Sequence, residues 1–349
     1  MSALRLIDPG LAATLQDGGR RGLQRFGVPP SGALDRESLS EANALVGADP
    51  ATPALEMRFL GPLIEAEGPV RIATAGAALE MQLTAADGAV QTIAGWQSLT
   101  LGRGDRLRVG PLRESATAYL AVEGGFDVTP VLGAAATLAR AGIGGFEGRA
   151  LIAGDRLPII ATEPSKKPEL ALPPRAPSGE TAPIRVVLGP QADHFPNETQ
   201  ALFLSALWRI STRSDRMGLR LEGPKLSHSD APGLGADITS DGIVTGAVQV
   251  PGSGQPILLL ADRQTSGGYA KIAAAITADL PQLGRLGSGA TIRFEAVDAM
   301  SGAAAARLAA TLQARRLASI RTLPVDGFDL DALYRENLIS GAISDTPTG

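Results

Sequence analysis

There is no cysteine among the 349 residues of this chain, which excludes thiol nucleophiles, zinc–cysteine sites and iron–sulfur clusters. Histidine is almost as scarce. His194 and His228 are the only two, no HExxH pair occurs, and each reads as a surface or loop residue, so no metal site is expected. Lysine is limited to Lys166, Lys167, Lys225 and Lys271. None lies in a GxxxxGK[ST] phosphate loop or in a Met-Lys-Met segment that would carry biotin, and only Lys271 stands among other polar, site-like residues. Aromatic residues make up 4% of the chain and the net charge is −4 with no basic block, so nucleic acid is not an expected partner. No stretch reaches the ~18 apolar residues of a membrane span. The opening MSALRLIDPG has no apolar core of signal-peptide length, and the expectation is a cytoplasmic protein without a membrane partner. No GxSxG elbow occurs, so Ser-His-Asp hydrolysis has no support.

What is plentiful is turn chemistry: 42 glycines and 25 prolines. Many short strands joined by turns are the expected result, a mainly β chain with a few helices. The segment Thr162–Pro183 holds six prolines and little apolar pattern, and reads as a linker. It divides the chain into residues 1–161, 184–300 and a C-terminal part, 301–349. Strand character recurs at Val70–Thr74, Leu79–Leu83, Ser98–Leu101, Arg106–Val109 and Ala118–Val122, and again at Ile184–Leu188, Gly246–Val250, Ile257–Leu260 and Thr291–Ala296. Asp87-Gly88 reads as a hairpin turn. Helices are expected from Asp35, an N-cap, to Gly47, from an Asn197 cap to Leu207, over Ile272–Ala278, over Gly302–Leu317 and over Asp329–Ile339.

Three segments concentrate polar groups. In Thr14–Asp35 (TLQDGGRRGLQRFGVPPSGALD), Gln16, Asp17, Arg20, Ser31 and Asp35 are threaded with glycines. It reads either as an anion- or amide-binding loop entering a helix N-terminus or as a long turn with solvated charges. In Ser211–Gly223, Arg216 either clamps a carboxylate or phosphate or closes a turn with an aspartate. In Gln249–Ala273 (QVPGSGQPILLLADRQTSGGYAKIA), an apolar strand ends in Asp262, Arg263, Gln264, Thr265 and Ser266 before Gly267-Gly268-Tyr269. Either this is an ordinary strand exit, with Asp262 and Thr265 bonding their own backbone, or it is a display of chemical groups on a rigid element. In the second case Asp262 is the best candidate for a general base or amide ligand, and Thr265, Ser266 and Tyr269 supply donors. A fourth segment, Gly142–Gly148, does not match GxGxxG and reads as a turn.

Taken together, TLQDGGRRGLQRFGVPPSGALDRESLSEAN, SDRMGLRLEG and ITSDGIVTGAVQVPGSGQPILLLADRQTSGGYAKIA resemble the KipA family, also called the biotin-dependent carboxyltransferase-like family or the C-type subunits of 5-oxoprolinase. The resemblance implies two cyclophilin-like β-barrel domains. It implies two protein partners, a KipI-like one (type B) and a LamB/YcsF-like one (type A). The implied reaction is opening of the 5-oxoproline lactam to L-glutamate with ATP as cosubstrate, bound by this chain or by a partner. A carboxyltransferase that moves carboxyl from biotin to urea or a related amide is the alternative. A non-catalytic regulator that binds a KipI-like kinase inhibitor is another. Carried onto this sequence, Asp262, Arg216 and Thr265 become the catalytic candidates, and Asp35, Asn43, Gln249 and Tyr269 the substrate-binding ones. Paired amide and carboxylate groups of this kind suit recognition of a small amide.

Overall fold

The computed structural model describes residues 2–161, 163–175 and 182–323. The expected helix Asp329–Ile339 lies outside them. The chain is mainly β, and its strands fall into two groups that pair within themselves. In the first, a six-stranded sheet runs in the order Arg156–Pro158, Ala3–Asp8, Leu63–Ala66, Arg106–Val109, Glu80–Thr84, Val90–Ala94. A five-stranded sheet runs Ala12–Gln16, Ala54–Arg58, Thr117–Val122, Val70–Ala75, Ser98–Leu101. Alternating residues of both sheets, among them Leu4, Leu15, Met57, Ile64, Ile72, Leu107 and Leu120, fill one core, so the sheets wrap it as a barrel. The Asp87-Gly88 turn closes the hairpin in which Thr84 faces Val90.

The second group forms an eight-stranded sheet from Trp208–Ile210, Gly218–Glu222, Ala247–Gln249, Ile257–Leu259, Lys271–Ala275, Ile184–Leu188 and two short strands, Thr291–Ile292 and Phe294–Ala296. Its core is built on Trp208, Phe203 and Phe294, with the two phenylalanine rings stacked at 4.4 Å. An exposed ribbon, Asp237–Gly242 paired with Ser266–Tyr269, projects from it.

Four α-helices complete the described chain: α1 (Arg36–Leu45), α2 (Asn197–Ser205), α3 (Leu280–Arg285) and α4 (Ala299–Leu317). Helix α1 begins where the Asp35 carboxylate accepts from the amides of Glu37 and Ser38, and it stops before Gly47, which takes φ +70°. Its apolar side, Leu39, Ala42 and Leu45, packs on Tyr119, Ala73 and Ala121 of the five-stranded sheet. Helix α4 is capped by Asp298 and ends in Arg315 and Arg316, a charge order that suits the helix dipole. It returns to the first unit: Arg316 pairs with Glu41 at 2.8 Å and lies 5.0 Å over the Trp96 ring.

Four expectations are corrected. Ile272–Ala278 is not a helix. Lys271–Ala275 is a strand held between Ile184–Leu188 and Ala247–Gln249, and only a 3₁₀ turn follows at Thr277–Asp279. Asn197 is the first residue of α2 rather than its cap, and Pro196 stands at the cap position. His194 is buried, with Nδ1 2.8 Å from the Gly235 carbonyl oxygen. The proline-rich segment is partly structured: Leu170–Ala171 pairs with Arg321–Thr322, and Leu172 is buried against α1's cluster.

Candidate functional site at the junction of the two units

The loop Thr14–Asp35 is largely buried at both ends, while Arg21, Gly22 and Gln24–Gly27 are exposed. Asp17 accepts from the amides of Gly19 and Ala135, and Arg20 donates to the carbonyls of Val131 and Ala136. Gln16 donates to the Thr137 carbonyl. Gln16, Asp17, Arg20, Ser31 and Asp35 are all buried, so the solvated-turn reading fails for these groups and holds for Arg21 and Arg25. Asp35 itself caps the helix N-terminus that the loop enters, as its place in the sequence predicts. The loop can be this compact because Gly19 and Gly32 meet backbone to backbone: a Cβ on Gly32, at φ +84°, would stand 2.8 Å from the Gly19 Cα. Ser31, at φ 54°, is thereby turned toward the second unit, and its amide donates to the Ala261 carbonyl.

There Ser31 Oγ lies 2.6 Å from Asp262 Oδ1 and 2.9 Å from the Thr137 carbonyl, and its single proton serves one of them at a time. Asp262 is gripped from the other side by Arg216, with Nε to Oδ2 at 2.8 Å and Nη2 to Oδ1 at 3.1 Å. The same guanidinium donates to the Gly32 carbonyl at 2.6 Å and to Glu56 Oε1. Glu56 in turn accepts from the Tyr119 hydroxyl at 2.6 Å and the Leu34 amide at 3.0 Å. Burial would lower the Arg216 guanidinium, but Asp262 and Glu56 carry it above its ordinary value, so it is a permanent cation. Burial first, then the Glu56 and Asp35 charges, pushes the Tyr119 phenol well above its ordinary range and keeps its proton in place.

A second buried pair runs parallel to this one. Arg285, the last residue of α3, donates to Asp35 Oδ2 at 2.6 Å and to Glu37. Burial alone would raise the Asp35 carboxyl, but Arg285 and the Ser38 hydroxyl hold it below its ordinary value. Helix α3 comes so close to the loop that a Cβ on Gly284 would stand 2.4 Å from the Leu34 carbonyl oxygen. A cavity of about 350 Å³ opens beside the junction, lined by Ser31, Leu34, Arg36, Thr245, Ala261 and Leu280 among others.

The structure therefore brings Asp262, Arg216 and Asp35 to one seam, but spends most of Arg216's donors on holding Asp262, Glu56 and Gly32. Gln249, Thr265 and Tyr269 lie apart from it, at the root of the exposed ribbon. Gln249 is 1% exposed and its Oε1 accepts from Gln264 at 3.2 Å. Thr265 gives its carbonyl to the Ile243 amide, and Tyr269 is exposed. Asn43 joins neither group: its amide donates to the carbonyls of Pro50 and Thr52, and so ties α1 to the following loop. Between seam and ribbon lies Arg263, buried, with Nε and Nη2 directed at the Ile243 carbonyl and no carboxylate against it. Burial pulls its guanidinium down to about 10, which still leaves it charged at neutral pH. The Gln24 side chain of the first loop reaches the same Ile243 carbonyl at 3.2 Å.

Reading the sequence missed Glu56, Tyr119 and Arg285. Glu56 and Tyr119 sit on regular strands and Arg285 ends a short helix, with no local signal in any of the three. Among the described residues no group of His, Asp or Glu could hold a metal ion, and no helix is long and apolar enough to cross a membrane.

Two β units locked face to face by loops and buried ion pairs define a two-part carboxyltransferase-type domain. The chain belongs to the carboxyltransferase domain, subdomain A and B, family, whose model matches residues 26–296. It is 40% identical over 291 residues to the 5-oxoprolinase C subunit of Escherichia coli (strain K12), a match that covers 83% of this chain and 90% of that protein. It is 34% identical over 309 residues to urea amidolyase of Saccharomyces cerevisiae, spanning 84% of this chain but 16% of that protein. The solved structure of the K. lactis urea amidolyase superposes with a TM-score of 0.80 at 28% identity, covering 90% of this chain and 20% of that one.

Proposed function

We propose that this chain is the C subunit of an ATP-dependent 5-oxoprolinase, opening the 5-oxoproline lactam to L-glutamate in the cytoplasm together with KipI-like (B-type) and LamB/YcsF-like (A-type) partners. The observation that carries the reading is the 40% identity to the 5-oxoprolinase C subunit of Escherichia coli, which extends over 90% of that protein's length. The chain's own groups support it. Ser31 and Asp262 form a short polar contact beside a cavity at the seam of the two units. Arg216 acts as a positioning residue, because it holds Asp262 and the Ser31–Gly32 turn together. Thr265, Gln249 and Tyr269 lie on the segment that leaves the seam, where a small amide would be recognised. ATP supplies activation of the lactam carbonyl, and the chain has no phosphate loop of its own, so a partner is the better place for the nucleotide.

The similarity to the K. lactis urea amidolyase structure favours a second reading, carboxyl transfer from biotin to urea or a related amide. The two differ in what they require. The test is to purify the chain with its B- and A-type partners and follow ADP release on adding 5-oxoproline. Release that depends on all three chains supports the first reading. No release with the full set, or inhibition by avidin, overturns it. A KipA-like regulator of a KipI-like kinase inhibitor would bind its partner with no turnover in any mixture.

A further inference from the structure

We infer that Lys271 and the Gln249 amide form a carboxylate-binding site at the root of the Asp237–Gly242 ribbon, and that the carboxylate it takes is that of the lactam substrate. The inference rests on the proposed 5-oxoproline reading and extends it to residues that recognise the charged end of the molecule.

Gln249 is paired with Lys271 across the antiparallel strands Ala247–Gln249 and Lys271–Ala275 at a β-bulge, where the register shifts after Val248. The ribbon brings both side chains to one place, because Asp241, which contacts Lys271, is paired with Gly267, which lies against the Gln249 amide. Both are almost wholly buried, at 1% and 2% exposure. Neither Gln249 Nε2 nor Lys271 Nζ has a hydrogen-bond partner among the described residues. Buried donors are rarely left unserved. An amide N–H without a partner beside an ammonium held only by a rim aspartate calls for a ligand that presents oxygen acceptors.

The charge balance points to an anion. Lys271 Nζ stands 3.2 Å from Asp241 Oδ2, an ion pair not aligned as a hydrogen bond. Asp241 is half-exposed on the ribbon, while Lys271 is not, so the aspartate reaches in from the rim rather than belonging to the floor. Arg263, directed at the Ile243 carbonyl, adds a second buried cation with no carboxylate against it. Gly267 lets the ribbon approach this face closely: a Cβ there would stand 2.8 Å from Gln249 Nε2 and 2.7 Å from Ile243 Cδ1. Asp241 thus covers the site and mimics its ligand. Turning its side chain to solvent exposes an ammonium and an amide N–H to an incoming carboxylate.

The experiment uses the complete three-subunit enzyme with 5-oxoproline as substrate and 2-pyrrolidinone, the same lactam without the carboxylate, as competitor. Lys271→Met is expected to raise KM for 5-oxoproline about 10–100-fold and to leave inhibition by 2-pyrrolidinone unchanged. Asp241→Asn, at an exposed position, is expected to lower KM, because the competing carboxylate is gone. Equal losses of affinity for both lactams, or an unchanged KM in Lys271→Met, overturn the carboxylate site while leaving the 5-oxoprolinase reading intact. No turnover by the wild-type complex overturns that reading and this substrate assignment with it.

Discussion

Arg216 and Glu56, 160 residues apart in the chain, form a buried ion pair across the junction of the two β units. Glu56 is 1% exposed at its side chain and also holds the Tyr119 hydroxyl and the Leu34 amide. One carboxylate therefore fixes a cation from the second unit, a phenol in the first and the turn between them. Removing either partner leaves a charge buried without its counter-ion, which typically costs about 3–5 kcal/mol. Arg216→Met is expected to destabilise the chain by that amount, read as a shift in the urea midpoint. A shift under about 1 kcal/mol would mean that water reaches the seam.

Acid should loosen the parallel pair. Asp35 is held below its ordinary value of 3.8 with Arg285 beside it. A carboxylate lowered in the folded state adds stability that is complete above its unfolded value and is lost as pH falls through the folded one. The expected result is a melting temperature that gains nothing from this pair between pH 5 and pH 7 (about 1 unit or more above the unfolded value) and falls on titration below it. In Arg285→Gln the acid-dependent part contributed by Asp35 should shrink. Equal acid sensitivity in both proteins would refute the assignment.

Gly284 has no room for a side chain, since its Cβ would meet the Leu34 carbonyl at 2.4 Å. The obstacle is backbone, not the end of a flexible side chain. Gly284→Ala should push α3 away from the Ser31–Asp35 turn and cost about 1–3 kcal/mol. The expected signature is faster amide exchange at Leu34 and Asp35, with the first unit's core strands unchanged.

Gly267→Ala tests the ribbon root differently. The nearest atoms, Gln249 Nε2 and Ile243 Cδ1, are ends of flexible side chains, so stability should change by less than about 1 kcal/mol. Turnover of the assembled enzyme should nevertheless fall, because the Gln249 amide must turn away. Normal kinetics in this variant would place Gln249 outside the site.

Asp262→Asn keeps the side chain's shape but gives up its charge against Arg216 and Ser31. Turnover by the assembled complex is expected to drop at least tenfold (about 1.4 kcal/mol of barrier or more), while the chain still co-purifies with its partners. Unchanged turnover would assign Asp262 to the architecture of the seam alone.

Much of this was legible in the residues themselves. The Asp35 cap, the Gly47 stop and most strands follow from local patterns, and the three polar segments include most members of both clusters. Two kinds of information were not local. The run KIAAAI reads as helix because alanine has the highest helix propensity, but strands on both sides claim Lys271–Ala275, and pairing outweighs propensity there. Glu56, Tyr119 and Arg285 carry no signal because their meaning comes from partners 160, 63 and 250 residues away. Arg216 shows the opposite case. Its segment was visible, yet only the three-dimensional contacts reveal that the guanidinium is already engaged.

The order of the ion-pair partners along the chain has a consequence for synthesis. Glu56 precedes Arg216 by 160 residues, and Asp35 precedes Arg285 by 250. At ordinary translation speeds the acids wait on the order of ten to fifty seconds for their cations to leave the ribosome. The first unit can close its own sheets in that interval. Its acid-bearing face must stay hydrated until the second unit docks, and only then does the seam become dry.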